Sequence, residues 1–180
     1  MGNSFFTQDE LKTLGFASIG KNVKLSRKTS LYNIQNITIG DNVRIDDFCI
    51  LSGNITIGSN IHISAYVALY GSGGIVMEDY TGISPRSTVY SAMDDFSGDC
   101  LIGPIHPTEY TNVHKGQVII KKYAQIGTHS VVFPNITIGE GSVVGAMTLV
   151  NKSLDAWGIY VGQPAKFLKT RKKGLLKFLY

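Results

Sequence analysis

An all-β solenoid is the fold class this sequence predicts, and three observations predict it. Aliphatic residues fall at Ile39, Ile45, Leu51, Ile57, Ile63 and Leu69, one every six positions. A second inward series follows at Val43, Cys49, Ile55, Ile61 and Val67, each four positions after a rung. The spelling Asn-Ile-Thr-Ile-Gly occurs at 36–40 and again 18 residues later at 54–58. A period of six fits neither the 3.6 of a helix nor the two of an amphipathic strand. It fits a chain that makes a short strand, turns a corner and repeats. Three units close a turn of 18 residues, so that Ile39 stacks on Ile57, Ile45 on Ile63 and Leu51 on Leu69.

Taken in order, Phe6-Thr7-Gln8-Asp9-Glu10-Leu11 reads as a helix start. Thr7 caps, Glu10 closes a capping box and Phe6 staples against Leu11, with Gly15 as the stop. Residues 1–17 thus form a helical cap. The solenoid opens with Ile19, Leu25 and Leu31, and a step of eight to Ile39 inserts two residues at a corner. After Leu69 a second two-residue insertion, at 71–74, moves the frame to Met77, Ile83 and Val89. Asn22, Asn42, Asn54, Asn60 and Asn135 share one place in the repeat. Asparagine tolerates left-handed backbone angles, which makes that place the corner. Register breaks at Tyr90, and residues 91–116 form a protruding loop too long for an ordinary connection. The ladder resumes at Ile120, Ile126, Val132, Ile138, Val144 and Val150. Eighteen rungs make about six three-sided turns over 18–154, roughly 30 Å tall at strand spacing. Residues 155–180 are expected to be a helical tail that covers the last coil.

The 180 residues suit one domain. No apolar run is long enough for a bilayer, and the N-terminus carries neither a signal peptide nor a myristoylation pattern. Cys49 and Cys100 do not make a disulfide framework, and Cys49 belongs to the core. A cytoplasmic protein is expected. Net charge is +4, but six cations and no acid lie from Pro164 onward, leaving 11 basic against 13 acidic residues elsewhere. That local basicity argues against a nucleic-acid-binding fold and for one anionic partner at one place.

The hexads Ile-Gly-Asp-Asn-Val-Arg at 39–44 and Ile-Gly-Glu-Gly-Ser-Val at 138–143, with Val-Gly-Gln-Pro-Ala-Lys at 161–166, resemble the hexapeptide-repeat acyltransferases. Among these the chain is similar to the galactoside and maltose O-acetyltransferases and to sugar acetyltransferases of surface-polysaccharide pathways. The resemblance spans roughly 19–170. It implies a left-handed parallel β-helix, a homotrimer with active sites between subunits, and acetyl-CoA as donor to a hydroxyl or amine of a sugar or sugar nucleotide.

Such a transfer needs a base, donors for an oxyanion and a cleft for coenzyme A. Histidine is the usual base near neutral pH. His106, in Gly-Pro-Ile-His-Pro within the loop, resembles the family's His-Pro loop and is the first candidate. His62, outward on the wall, is the second, against the plain reading of an exposed strand residue. His114 reads as surface, and His129 as a neighbour of the donor cleft. Asp94 or Asp95 would orient the histidine or hold a sugar hydroxyl, although Asp, Ser and Gly also favour turns. On the donor side the resemblance points to Gly127, Thr128, Gly145, Ala146 and Asn151 along the pantetheine groove, against ordinary corner chemistry. Lys166 and Lys169 match the basic residues at its nucleotide end. The competing use of the basic tail is peripheral contact with an anionic membrane. No metal is expected. Two other readings stay open: a γ-type carbonic anhydrase-like zinc enzyme, which needs three histidines at ligand geometry, and a non-enzymatic solenoid binding module.

Overall fold

The structure is a computed structural model describing residues 4–179. The six-residue period produces three walls of parallel strands. On the first wall the register runs Ile19, Ile39, Ile57, Met77, Ile120, Ile138 and, by a bridge, Leu154. On the second it runs Leu25, Ile45, Ile63, Ile83, Ile126, Val144 and Tyr160. On the third it runs Leu31, Leu51, Leu69, Val89, Val132 and Val150. Every rung expected from the sequence is inside. Ile19 and Leu31, in the first coil, are half-buried, and the others are buried. The second series, Val43 through Val67, is buried too.

The coil count is about seven rather than six. Beyond Val150 the chain steps by four to Leu154 and by six to Tyr160, so two walls continue for another level. The expected helical tail is also different. Lys166–Thr170 is a strand antiparallel to Gly158–Val161, followed by a 3-10 helix over Gly174–Phe178. The antiparallel strand covers the edge of the second wall, which would otherwise offer open backbone groups.

Left-handed corners define the turns, and most are not asparagine. One corner carries Asn22, Asn42, Asn60, Tyr80, Tyr123 and Trp157 at positive φ, and the next carries Phe48, Tyr66, Arg86, His129 and Met147. Strain is tolerated because the side chains stack. Asn22, Asn42 and Asn60 donate amide to carbonyl in sequence, each at 2.8 Å. Phe48 stacks on Tyr66 at 5.0 Å, with Lys28 and Arg86 over the two rings. Asn54 departs from the expectation, because Gly53 beside it takes the left-handed angle, φ +95°, at no Cβ penalty. The two insertions lie where expected. The 3-10 turn Ile34–Asn36 takes up the first, and Gly71–Gly74 takes up the second, opposite Gly53.

The N-terminal helix spans Gln8–Thr13 with the predicted capping box: Thr7 N–H donates to Glu10 at 2.7 Å, and Glu10 N–H donates to Thr7 Oγ1 at 3.3 Å. Arg27 and then the Thr7 N–H hold the Glu10 carboxyl down at about 2. Leu11 seals the core from this end. Cys49 lies inside, and burial pushes its thiol up to about 11.

The loop at 91–116 leaves the corner between the third and first walls. Its base is a two-stranded hairpin, Ala92–Asp94 against Val113–Lys115. Its outer part holds the 3-10 turn Thr108–Tyr110 and exposes Phe96, Leu101, Ile102 and Ile105, the last 86% exposed.

Candidate active site

Two adjacent acids in the hairpin have different fates. Alternation along the strand turns Asp95 into the hairpin's own hydrogen bonding. Its carboxylate accepts from Ser97 N–H and Asn112 Nδ2, each at 2.8 Å, with His114 Nε2 3.7 Å away. The Ser97 N–H and then the Asn112 amide hold it below the usual carboxylate range. Asp95 is therefore a loop-ordering residue. Asp94 pairs with Val113 through the backbone, and its carboxylate makes no hydrogen bond with any described residue. It lines a cavity of about 370 Å³ whose other walls are Tyr90, Ala92, Met93, Phe96 and Phe133. That carboxylate is half-buried and open to solvent at the cavity.

The histidines separate in the same way. His106 is half-buried in the outer loop before Pro107 and has no hydrogen-bond partner among the described residues. His114, on the hairpin strand, faces Asp95 and lines a second cavity with Met93, Phe133, Asn135 and Asn151. His129 occupies a left-handed corner, its Nδ1 3.0 Å from Thr128 Oγ1. His62 points out of the second wall as expected, and its Nε2 lies 2.7 Å from Asp46 Oδ2. Arg44 Nε donates to the other oxygen of Asp46 at 2.7 Å. Burial pushes the Asp46 carboxyl up, but the hydrogen bonds from His62 and Arg44 outweigh it and hold it below the usual range. This pair was not read from the sequence. Its signal was the 18-residue turn, which sets Arg44 against His62 and leaves Asp46 two positions on. Beside it, above Gly82, lies a polar hollow lined by Asn60, His62, Ser64, Ser84 and Gln125. A Cβ at Gly82 would come within 2.4 Å of Gln125 Oε1, so a larger residue there would displace the Gln125 side chain. Among the described residues no group of three or more His, Cys, Asp or Glu side chains could hold a metal ion.

The expected donor residues divide between two corners. Gly127, Thr128, Gly145 and Ala146 follow second-wall strands, at the corner that also holds Arg86 and Met147. Asn151 follows a third-wall strand at the next corner, beside the hairpin. Both glycines are needed by the coil itself: a Cβ on Gly127 would meet the Gly145–Ala146 backbone at 2.7 Å, and one on Gly145 would meet Val161 at 2.7 Å. Thr128 Oγ1 donates to the Pro85 carbonyl at 2.7 Å. Lys166 and Lys169 are exposed on the edge strand, opposite Val161 and Ile159. The Gly-Gln-Pro-Ala turn folds back over the third wall, where Ala165 N–H donates to Leu149 O at 2.8 Å.

The repeat is one that known families share. Residues 36–71 match the bacterial transferase hexapeptide family of six repeats. Over 177 residues, 97% of this chain and 92% of the relative, the sequence is 42% identical to a dTDP-4-amino-4,6-dideoxy-D-glucose acyltransferase of Escherichia coli. The chain belongs to the hexapeptide-repeat acyltransferases, and it is an enzyme of that class. It is similar to AntD, an N-acyltransferase from Bacillus cereus whose structure holds dTDP and 3-hydroxybutyryl-CoA, at 56% identity and a TM-score of 0.97, over 99% of this chain and 95% of that one. Other structures of AntD carry replacements of its serine 84, two of them with dTDP-4-amino-4,6-dideoxyglucose and coenzyme A, or of its aspartate 94. An acetyltransferase from Vibrio cholerae O1 with acetyl coenzyme A shares the fold alone, at 20% identity and a TM-score of 0.64, over 92% and 77% of the two chains.

Proposed function

We propose that this enzyme transfers an acyl group from coenzyme A to the amine of a dTDP-linked 4-amino-4,6-dideoxy sugar. The observation that carries this reading is the unpartnered Asp94 carboxylate at its cavity, in a chain alike over nearly its whole length to enzymes that take such a sugar nucleotide. An amine must shed its proton to attack a thioester, and a carboxylate within hydrogen-bond reach orients it and receives that proton. His106 is the second candidate for that task, and the His62–Asp46 pair the third.

The site is completed by a second copy of the chain, in a left-handed coil assembled as a homotrimer. What supports this is the division of the site between two corners. Ser84, Gly127, Thr128, Gly145 and Ala146 border one, while Asp94 and Asn151 border the next, with the third wall between them. Ser84 and Asp94 of this chain share residue type and number with the two residues replaced in AntD, and they fall on opposite sides of that wall. A closed ring joins one copy's first corner to its neighbour's second. Lys166 and Lys169 then reach the phosphates of coenzyme A. The product is a precursor for surface-polysaccharide synthesis, made in the cytoplasm.

The test is binding by calorimetry of coenzyme A and dTDP, separately and together. The expected result is saturable binding of both, with one site for each per chain. Failure of dTDP to bind while coenzyme A does would contradict the acceptor.

A further inference from the structure

The acyl chain must lie close to Asp94 if the reacting amine does. This step rests on the function proposed above. In the transition state the amine nitrogen bonds the thioester carbon, so the first carbons of the acyl chain sit within about a bond length or two of that carbon. They need an apolar wall next to Asp94, and the cavity supplies one. Tyr90, Ala92, Met93, Phe96 and Phe133 enclose about 370 Å³, at the small end of the range for ligand sites and larger than a methyl group needs. The ring of Tyr90 is held flat against Tyr70, centroids 5.3 Å apart, so that wall is fixed in place. Ala92 is held by the hairpin register opposite Lys115.

We infer that this cavity is the acyl-chain pocket, and that it selects short acyl chains longer than acetyl. Each carbon seated in an apolar pocket changes kcat/KM by roughly 10-fold or more. The hollow at Gly82 is the more polar of the two, since beside Tyr80 and Ile83 its walls are Asn60, His62, Ser64, Ser84 and Gln125.

The experiment measures kcat/KM with acetyl-, butyryl- and hexanoyl-CoA against dTDP-4-amino-4,6-dideoxyglucose. The wild type is expected to prefer butyryl over acetyl by at least about 10-fold. Ala92→Leu, which fills the cavity, is expected to lower the butyryl-to-acetyl ratio at least about 10-fold. Phe133→Ala, which enlarges it, is expected to raise the hexanoyl-to-butyryl ratio. A wild type that prefers acetyl, or ratios unchanged in both variants, would overturn the pocket. Equal losses for every chain length in Phe133→Ala would instead assign the cavity to the acceptor. Amide product from none of the donors contradicts the underlying function, whereas product with unmoved ratios contradicts the pocket alone.

Discussion

At the scale of single residues, neighbouring side chains of one type divide between structure and chemistry according to their hydrogen bonds. Asp95 is satisfied within the hairpin and Asp94 is not. Asp94→Asn is therefore expected to lower kcat by roughly 10²–10⁴-fold with thermal stability nearly kept. Asp95→Asn is expected to loosen the loop and lower stability, and thermal melts alongside initial rates separate the two. On the second wall the sign of a pH effect follows from Asp46. Its folded pKa lies below the ordinary value, so its stabilising effect is complete above the ordinary carboxyl range and lost as pH falls through the lower folded value. The gap in melting temperature between wild type and Asp46→Asn is expected at about pH 7 and narrows below about pH 4. A gap of the same size at both would contradict the ionic account. Inward and outward phase is checked at adjacent positions. Ile45→Ala is expected to cost about 2–5 kcal/mol, and Arg44→Ala to cost far less.

At the scale of elements, legibility followed regularity. Where the six-residue spacing held, the rungs, insertions, capping box and loop could be read directly, because inward position is a consequence of period. The seventh coil could not, because its step from Val150 to Leu154 is four, and a pattern with one short step looks like its own end. The tail read as helical from Leu175-Leu176-Lys177-Phe178-Leu179, yet the edge of the second wall pairs Lys166–Thr170 as a strand. The asparagine corners held at Asn22, Asn42, Asn60 and Asn135, but Phe48, Tyr66, Tyr80, Arg86, Tyr123, His129, Met147 and Trp157 take the same left-handed angle, which no propensity favours. Asp94 was legible as a candidate, but its separation from Asp95 depended on which way a three-residue strand faces. The split of the donor residues between corners was not legible at all without counting walls. The end of the edge strand is clasped by one side chain as well as by its strand pairing: Arg171 Nη1 donates to the carbonyls of Tyr123 and Gly141 at 2.8 and 2.9 Å. Arg171→Ala is expected to cost about 1.5–3 kcal/mol, with amide exchange rising first at 166–170. Uniform faster exchange along the coil would contradict a local clasp.

At the scale of the molecule, a stack of parallel coils gives a rigid post with chemistry set at its corners. No corner here carries both the expected donor groove and the hairpin acid. The Lys166→Ala, Lys169→Ala double variant is expected to weaken coenzyme A more than dephospho-coenzyme A; equal losses would exclude a 3′-phosphate contact, and unchanged binding of both would favour the membrane-facing use of the tail. The central claim is acyl transfer to a sugar amine. Its most direct measurement is mass spectrometry of the product formed from butyryl-CoA with dTDP-4-amino-4,6-dideoxyglucose, beside the same sugar nucleotide bearing a 4-hydroxyl. The account predicts one amide-linked acyl group on the amino sugar, coenzyme A released in equal amount, and no product from the hydroxyl sugar. Acylation of the hydroxyl sugar at a comparable rate, or thiol release without an acylated sugar, would contradict it.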